Sequence, residues 1–135
     1  MNKFSLQGKN AVITGAGSGI GRAIAMAFAE AKATVQVLDL NIEAANAVMK
    51  EIEAAGGSAQ SHTCDVSSQA EVKKVIDAIA ENQAIDILIN NAGIAHVGNL
   101  ENTTEVDLDR IYSVNVKGVY NGMLACVPYM KKSGG

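Results

Sequence analysis

Tryptophan is absent from these 135 residues, all aromatics together make up 4%, and proline occurs once, as Pro128. A chain so poor in rings, yet 48% apolar, suits helices laid closely on a sheet and excludes a disordered tail. There is no block of Lys or Arg, and the formal charge is −3, which excludes nucleic acid and an anionic membrane surface as principal partners. No apolar run approaches the ~20 residues of a membrane span. The opening stretch MNKFSLQGKN lacks the apolar centre of a secretory signal. The two cysteines, Cys64 and Cys126, share no motif spacing and read as buried free thiols of a reducing compartment. The expectation is a soluble, cytoplasmic, single domain, long enough to bury roughly two thirds of its unfolded surface.

What is present is an alternation of short β-branched runs with helical periods. NAVIT (10–14) and TVQVLD (34–39) read as strands buried on both faces. SAQSHTCDV (58–66) takes its strand assignment from its place in the order, and IDILIN (85–90) reads as a fourth strand. Between them, Ile20, Ile24, Ala27, Phe28 and Ala31 share one helical face. Ala45, Val48, Ile52 and Ala55 share another, closed by Gly56-Gly57, as do Val72, Val75, Ile76 and Ile79 behind a cap at Ser67 or Ser68. Thr103 or Thr104 starts a helix with acidic residues in its first turn. A last stripe, Val116, Val119, Tyr120, Met123, Val127 and Met130, is expected to pack on the sheet, with Pro128 bending or ending its helix. Such an order predicts parallel strands joined by right-handed crossovers, an α/β layered fold.

Between the first strand and first helix lies TGAGSGIG (14–21). The G-x-G-x-x-G spacing fails, because its third glycine position holds Ile20 or Arg22, and no Gly-Lys-Ser/Thr follows. The spacing present is Thr-Gly-x-x-x-Gly-x-Gly. Its glycines permit positive φ and close backbone approach to a phosphate, while the N–H groups of the helix from Gly19 onward favour an anion. Asp39 closes the second strand 18 residues after Gly21, where a dinucleotide fold places a carboxylate against the adenosine ribose. Its other reading is the cap of the next helix. As a ribose ligand it repels a 2′-phosphate, and Ser18, Leu40 and Asn41 offer no cation to hold one; NAD is favoured over NADP.

These residues resemble the short-chain dehydrogenase/reductase family, and three further stretches extend the resemblance in the family's order. CDV (64–66) is similar to its adenine-binding segment, NNAG (90–93) to its motif after the fourth strand, and SVNVKG (113–118) to the segment carrying its active-site Asn. The resemblance implies a Rossmann-type doubly wound parallel sheet in three layers, of which this chain supplies strands ordered 3-2-1-4 of an expected seven. It implies a pyrophosphate site at Gly15, Ser18, Gly19, Ile20 and Gly21, and adenosine contacts from Asp39, Asp65 and Val66. Asn91, Ala92 and Gly93 are implied along the nicotinamide ribose. Asn115 is implied as the one position of catalytic type, its helix leaving a main-chain carbonyl free to hold a water. The implied activity is hydride transfer between NAD(H) and an alcohol or carbonyl substrate, in a homo-oligomer with the last helix at a subunit interface.

The family's Ser and its Tyr-x-x-x-Lys do not occur. Four positions beyond Tyr112, Tyr120 and Tyr129 stand Val116, Leu124 and Ser133. The expectation is therefore a cofactor-binding portion that stops before the catalytic strand and helix, inactive alone and prone to associate through an unpaired strand edge. The alternative is a non-catalytic nucleotide-binding or oligomer-forming module. His62 and His96 share no ligand spacing with each other or the cysteines, so no metal is expected. His96 reads as a solvated loop residue or a contact at the substrate mouth, and Ser113 with Lys117 as surface residues one helical turn apart.

Overall fold

The computed structural model describes residues 4–134. Strands β1 (Asn10–Thr14), β2 (Thr34–Asp39), β3 (Ser58–Thr63) and β4 (Ile87–Ile89) form one sheet ordered β3-β2-β1-β4. Every pairing is parallel: β1 runs beside β2 from Asn10–Thr34 to Thr14–Leu38, and beside β4 from Ala11–Ile87 to Ile13–Ile89. Helices α1 (Gly19–Glu30), α2 (Ile42–Ala54) and α3 (Gln69–Asn82) make the crossovers, and α4 (Glu105–Tyr112) leads through a π-helical turn, Ser113–Lys117, into α5 (Gly118–Ser133). The expected α/β fold and its strand order are present. The fourth strand is shorter than IDILIN, and the alternatives for two caps resolve to Ser68 for α3 and Thr104 for α4. Thr104 also exchanges bonds with Asp107 in a capping box.

Strand alternation divides the core into two layers. Ile13, Val35 and Val37 face Ala25, Ala45, Val48 and Ile52 of α1 and α2, whereas Val12 and Leu38 face Val72, Ile76, Ile79 and Cys126 of α3 and α5. For α2 and α3 the buried residues are among those the helical period picks out, although Ala55, the C-cap of α2, is exposed and Val75 is half-buried. For α1 and α5 they are not. The buried residues of α1 are Gly21 and Ala25, and Ile20 is 75% exposed. On the π-helical turn and α5, Val116, Tyr120, Met123 and Val127 are about half exposed, and Gly118, Asn121, Gly122 and Cys126 of α5 face inward. The expectation that the apolar stripe packs on the sheet is thus corrected for these four residues, whereas Met130 of the same stripe packs against the core. A Cβ on Gly118 would stand 2.8 Å from Val66 Cγ2, and one on Gly122 would stand 2.5 Å from Asn90 Oδ1, so the helix sits too close for a larger side chain there. Pro128 does not end α5, which continues to Ser133.

The layer under α3 also carries a polar chain across three strands. His62 Nε2 lies 2.8 Å from Gln36 Oε1, and Gln36 Nε2 donates to Asn10 Oδ1 at 3.1 Å. Burial lowers the His62 pKa from its ordinary 6.5. A folded value below the unfolded one leaves stability intact above 6.5 and erodes it as the pH falls from there towards the folded pKa. Urea midpoints at about pH 7.5 and about pH 5.5 should therefore fall further for the native sequence than for His62→Gln; equal falls would remove His62 from the acid response.

Helices α1 and α2 end in the same hydrogen-bond motif with different residues in the left-handed position. At the end of α2, Gly56 (φ 87) donates to Glu53 O, and Gly57 donates to Ile52 O. At the end of α1, Lys32 (φ 75) donates to Ala29 O, and Ala33 donates to Phe28 O. A side chain in this conformation costs about 1 kcal/mol. Lys32→Gly is expected to stabilise the fold by about 0.5–1 kcal/mol, measured by urea denaturation, whereas Gly56→Ala should destabilise it by a similar amount.

Candidate functional site

The carboxyl ends of β1 and β4 are tied together by two side chains. Thr14 Oγ1 accepts from the N–H groups of Asn91 and Ala92, both at 3.0 Å, and donates to Ile89 O at 3.4 Å. Asn91 Nδ2 returns the link, donating to Thr14 O and Gly15 O at 3.1 Å each. Gly21 packs directly behind this knot: a Cβ there would fall 2.2 Å from Gly15 O and 2.4 Å from Asn91 Nδ2. Gly15 (φ 64) and Gly19 (φ 57) take the positive φ that the turn needs. Ser18 precedes α1 in extended conformation and makes no side-chain cap. The first helical bond is Arg22 N–H to Ser18 O, so the N–H groups of Gly19, Ile20 and Gly21 have no partner within the helix.

Asp39 reaches back into this turn from the end of β2. Its Oδ2 accepts from Gly17 N–H at 2.8 Å and its Oδ1 from Asn41 N–H at 2.9 Å. The cap of α2 is Asn41 rather than Asp39, its side chain accepting from Glu43 and Ala44. A Cβ on Gly17 would stand 2.7 Å from Asp39 Oδ2, so glycine is required for this approach. A carboxylate has about four acceptor positions, and these two bonds leave capacity for the hydroxyls of a sugar.

Beyond β3, Asp65 Oδ1 accepts from Ser67 N–H and Ser67 Oγ, at 3.0 and 2.6 Å, and Glu71 Oε1 accepts from Asp65 N–H at 2.9 Å. Beyond β4, Asn115 holds Ile94 from both sides, its Oδ1 accepting from Ile94 N–H and its Nδ2 donating to Ile94 O, each at 2.8 Å. Asn115 lies in the π-helical turn, where Gly118 N–H bonds Ser113 O five residues back. Such turns interrupt the regular ladder and occur often at functional sites.

A cleft of about 340 Å³ runs over these strand ends, lined by Gly15, Ser18, Asp39, Asp65, Val66, Asn91, Ala92 and Gly93, and also by Leu40, Cys64, Ile94 and Val114. It lies within the size range of small-molecule sites. The first eight are sequence-predicted site residues. Gly19 and Ile20 open α1 beside the cleft, Gly21 supports its floor, and Asn115 acts on its wall through Ile94. Leu40, Ile94 and Val114 were not read as site residues from sequence; Leu40 follows Asp39, Ile94 follows NNAG and Val114 lies within SVNVKG, and that placement was the only available signal. Burial, with the Glu71 and Asp65 charges adding, pushes the Cys64 thiol up to about 12, and burial does the same for Cys126, so both are protonated at neutral pH. The glycine cradle, the open helix start and the anchored carboxylate fit a dinucleotide.

A family model described as short chain dehydrogenase matches residues 9–135. The chain belongs to this family. Short-chain dehydrogenases generally bind NAD(P). An uncharacterized oxidoreductase of Thermotoga maritima is 43% identical over 134 residues, covering 98% of this chain and 52% of the relative. The 7alpha-hydroxysteroid dehydrogenase of Escherichia coli K12 is 42% identical, over 99% of this chain and 52% of its own length. A solved hydroxysteroid dehydrogenase from Escherichia coli superposes with a TM-score of 0.92 at 39% identity, over 97% of this chain and 56% of that one. A second short-chain dehydrogenase/reductase structure, from Burkholderia xenovorans, gives 0.92 at 32% identity, over 96% of this chain and 53% of that one. The chain spans about half the length of the curated relatives it matches.

The two helix-start glycines separate steric from conformational demand. Gly19→Ala meets open space but must hold φ at 57, at a cost of about 1–2 kcal/mol. Gly21→Ala drives a methyl into the Gly15 carbonyl and the Asn91 amide, at a cost of about 3 kcal/mol or more. Thermal denaturation of the two variants is expected to rank them in that order.

Proposed function

We propose that the protein is an NAD(H)-dependent oxidoreductase acting on an alcohol or carbonyl substrate, and that these residues form its cofactor site. The observation carrying this reading is Asp39, fixed by Gly17 N–H at the wall of a cleft whose lining, among the described residues, contains no Lys or Arg. A carboxylate in that position accepts from ribose hydroxyls and repels a 2′-phosphate, which favours NAD over NADP. Arg22, the cation nearest in sequence to the turn, is committed to an ion pair with Glu51. The chemistry a bound nicotinamide supplies is hydride exchange with the carbon of an alcohol or carbonyl group.

The chain's own residues bind and orient. Gly15, Ser18, Gly19, Ile20 and Gly21 present backbone N–H groups and close approach to the pyrophosphate, and Asp65 with Val66 receives the adenine. Asn91, Ala92 and Gly93 form the wall along the second ribose, with Asn115 holding Ile94 beside them and its helix offering a carbonyl to a water. Proton transfer is assigned to no residue of this chain. The exposed apolar face of Tyr112, Val116, Tyr120, Met123 and Val127 supports assembly as a homo-oligomer.

Calorimetric titration with NAD and NADP tests the reading. The native sequence should bind NAD more tightly, and Asp39→Asn should weaken NAD by about tenfold while narrowing the gap to NADP. The ratio of the two affinities discounts any loosening of the Gly17 turn, which affects both ligands alike. An unchanged ratio would remove Asp39 from the ribose site.

A further inference from the structure

The segment Asp65–Val66 is held in place from two sides. From its own side of the chain, Ser67 and Glu71 bind the carboxylate and backbone of Asp65. From the other side comes Asn121 of α5, which is 3% exposed. Its Nδ2 donates to Val66 O at 2.8 Å, across 55 residues of sequence, and its Oδ1 accepts from Gln69 Nε2 at 3.2 Å. Gln69 is the first residue of α3, directly after its cap Ser68. The amide of Asn121 thus joins the turn before α3 to the start of α3. One helical turn earlier Gly118 lets α5 approach Val66, where a Cβ would lie 2.8 Å from Val66 Cγ2.

Nothing in helix packing alone calls for an asparagine in this position. The inward face of α5 is otherwise made of Gly118, Gly122, Ala125, Cys126 and the ring of Tyr129, and a small apolar residue would complete it. A buried amide costs free energy unless both its ends are bonded, and here both are, one of them to the backbone of a cleft residue. Six residues before Asn121, Asn115 makes the equivalent grip on Ile94 at the other end of the same cleft.

We infer that Asn121 is a positioning residue for the adenine end of the cofactor site, acting through the Val66 carbonyl and supported by Gln69. The inference rests on the reading of the cleft as a dinucleotide site. Without the grip, the Asp65–Val66 turn loses its attachment to α5, while the Thr14–Asn91 knot and the Asn115–Ile94 pair remain. Loss of Asn121 therefore weakens ligands through their adenine half only.

NMR titration with AMP, with nicotinamide mononucleotide and with NAD separates the halves. For Asn121→Ala, affinity for AMP and NAD should fall about five- to tenfold, with nicotinamide mononucleotide within about twofold of the native protein. Gln69→Ala, which leaves the buried Asn121 in place, should give a smaller loss with the same bias, and it carries the test if Asn121→Ala does not fold. Parallel losses for AMP and nicotinamide mononucleotide, or no loss for either, would overturn the positioning role. If the native protein binds none of the three ligands, the dinucleotide reading fails and takes this inference with it; a native protein that binds AMP, with variants that bind it equally well, defeats the positioning role alone.

Discussion

The reciprocal bonding of Thr14 and Asn91 is the constraint on which the site depends. One hydroxyl and one amide join the end of β1, the glycine turn and the segment after β4. Because the sheet is parallel, all its strand ends open on the same side, and the knot fixes where the two central ones diverge. Everything placed at the cleft is referred to it. Gly21 starts α1 against it, Gly15 turns above it, and Asn91 leads into the wall that Asn115 grips further along. The cleft is the crevice left where chain segments part from a common anchor, as expected for a doubly wound sheet.

Two helices, α1 and α5, turn small residues inward where the backbone of a neighbouring segment comes close. Gly21 and Ala25 do this on α1, as Gly118, Gly122 and Cys126 do on α5. The reason is functional geometry as much as packing. α1 must bring its start to the glycine turn, and α5 with the π-helical turn before it must bring amides to the backbone of Val66 and Ile94. The larger apolar residues are displaced to the flanks, where Ile24 and Phe28 still pack against the core and Tyr120 and Met123 reach the surface.

That displacement marks the limit of what the sequence made legible. Hydrophobic periodicity located α2 and α3 with their faces, since Val48 and Ile52 on α2 and Val72, Ile76 and Ile79 on α3 are both bulky and buried. It misjudged α1 and α5 because periodicity weighs size, and the selecting demand there was closeness. Motif spacing served better, since glycine placement and Asp39 are dictated by backbone geometry rather than by bulk. The π-helical turn at Ser113–Lys117 leaves no mark in spacing, and the grip of Asn121 on Val66 joins positions 55 residues apart. Polar contacts of that range are written in the topology, which the local pattern does not contain.

The Thr14–Asn91 bonds also close a loop of 77 residues. A loop of that length carries a large entropic cost, and the contacts closing it are present only when the intervening crossovers have formed. The cleft consequently has no existence as a local structure. It belongs to the cooperative native state, and a ligand held there adds its binding free energy to the stability of every strand and helix enclosed between the two residues.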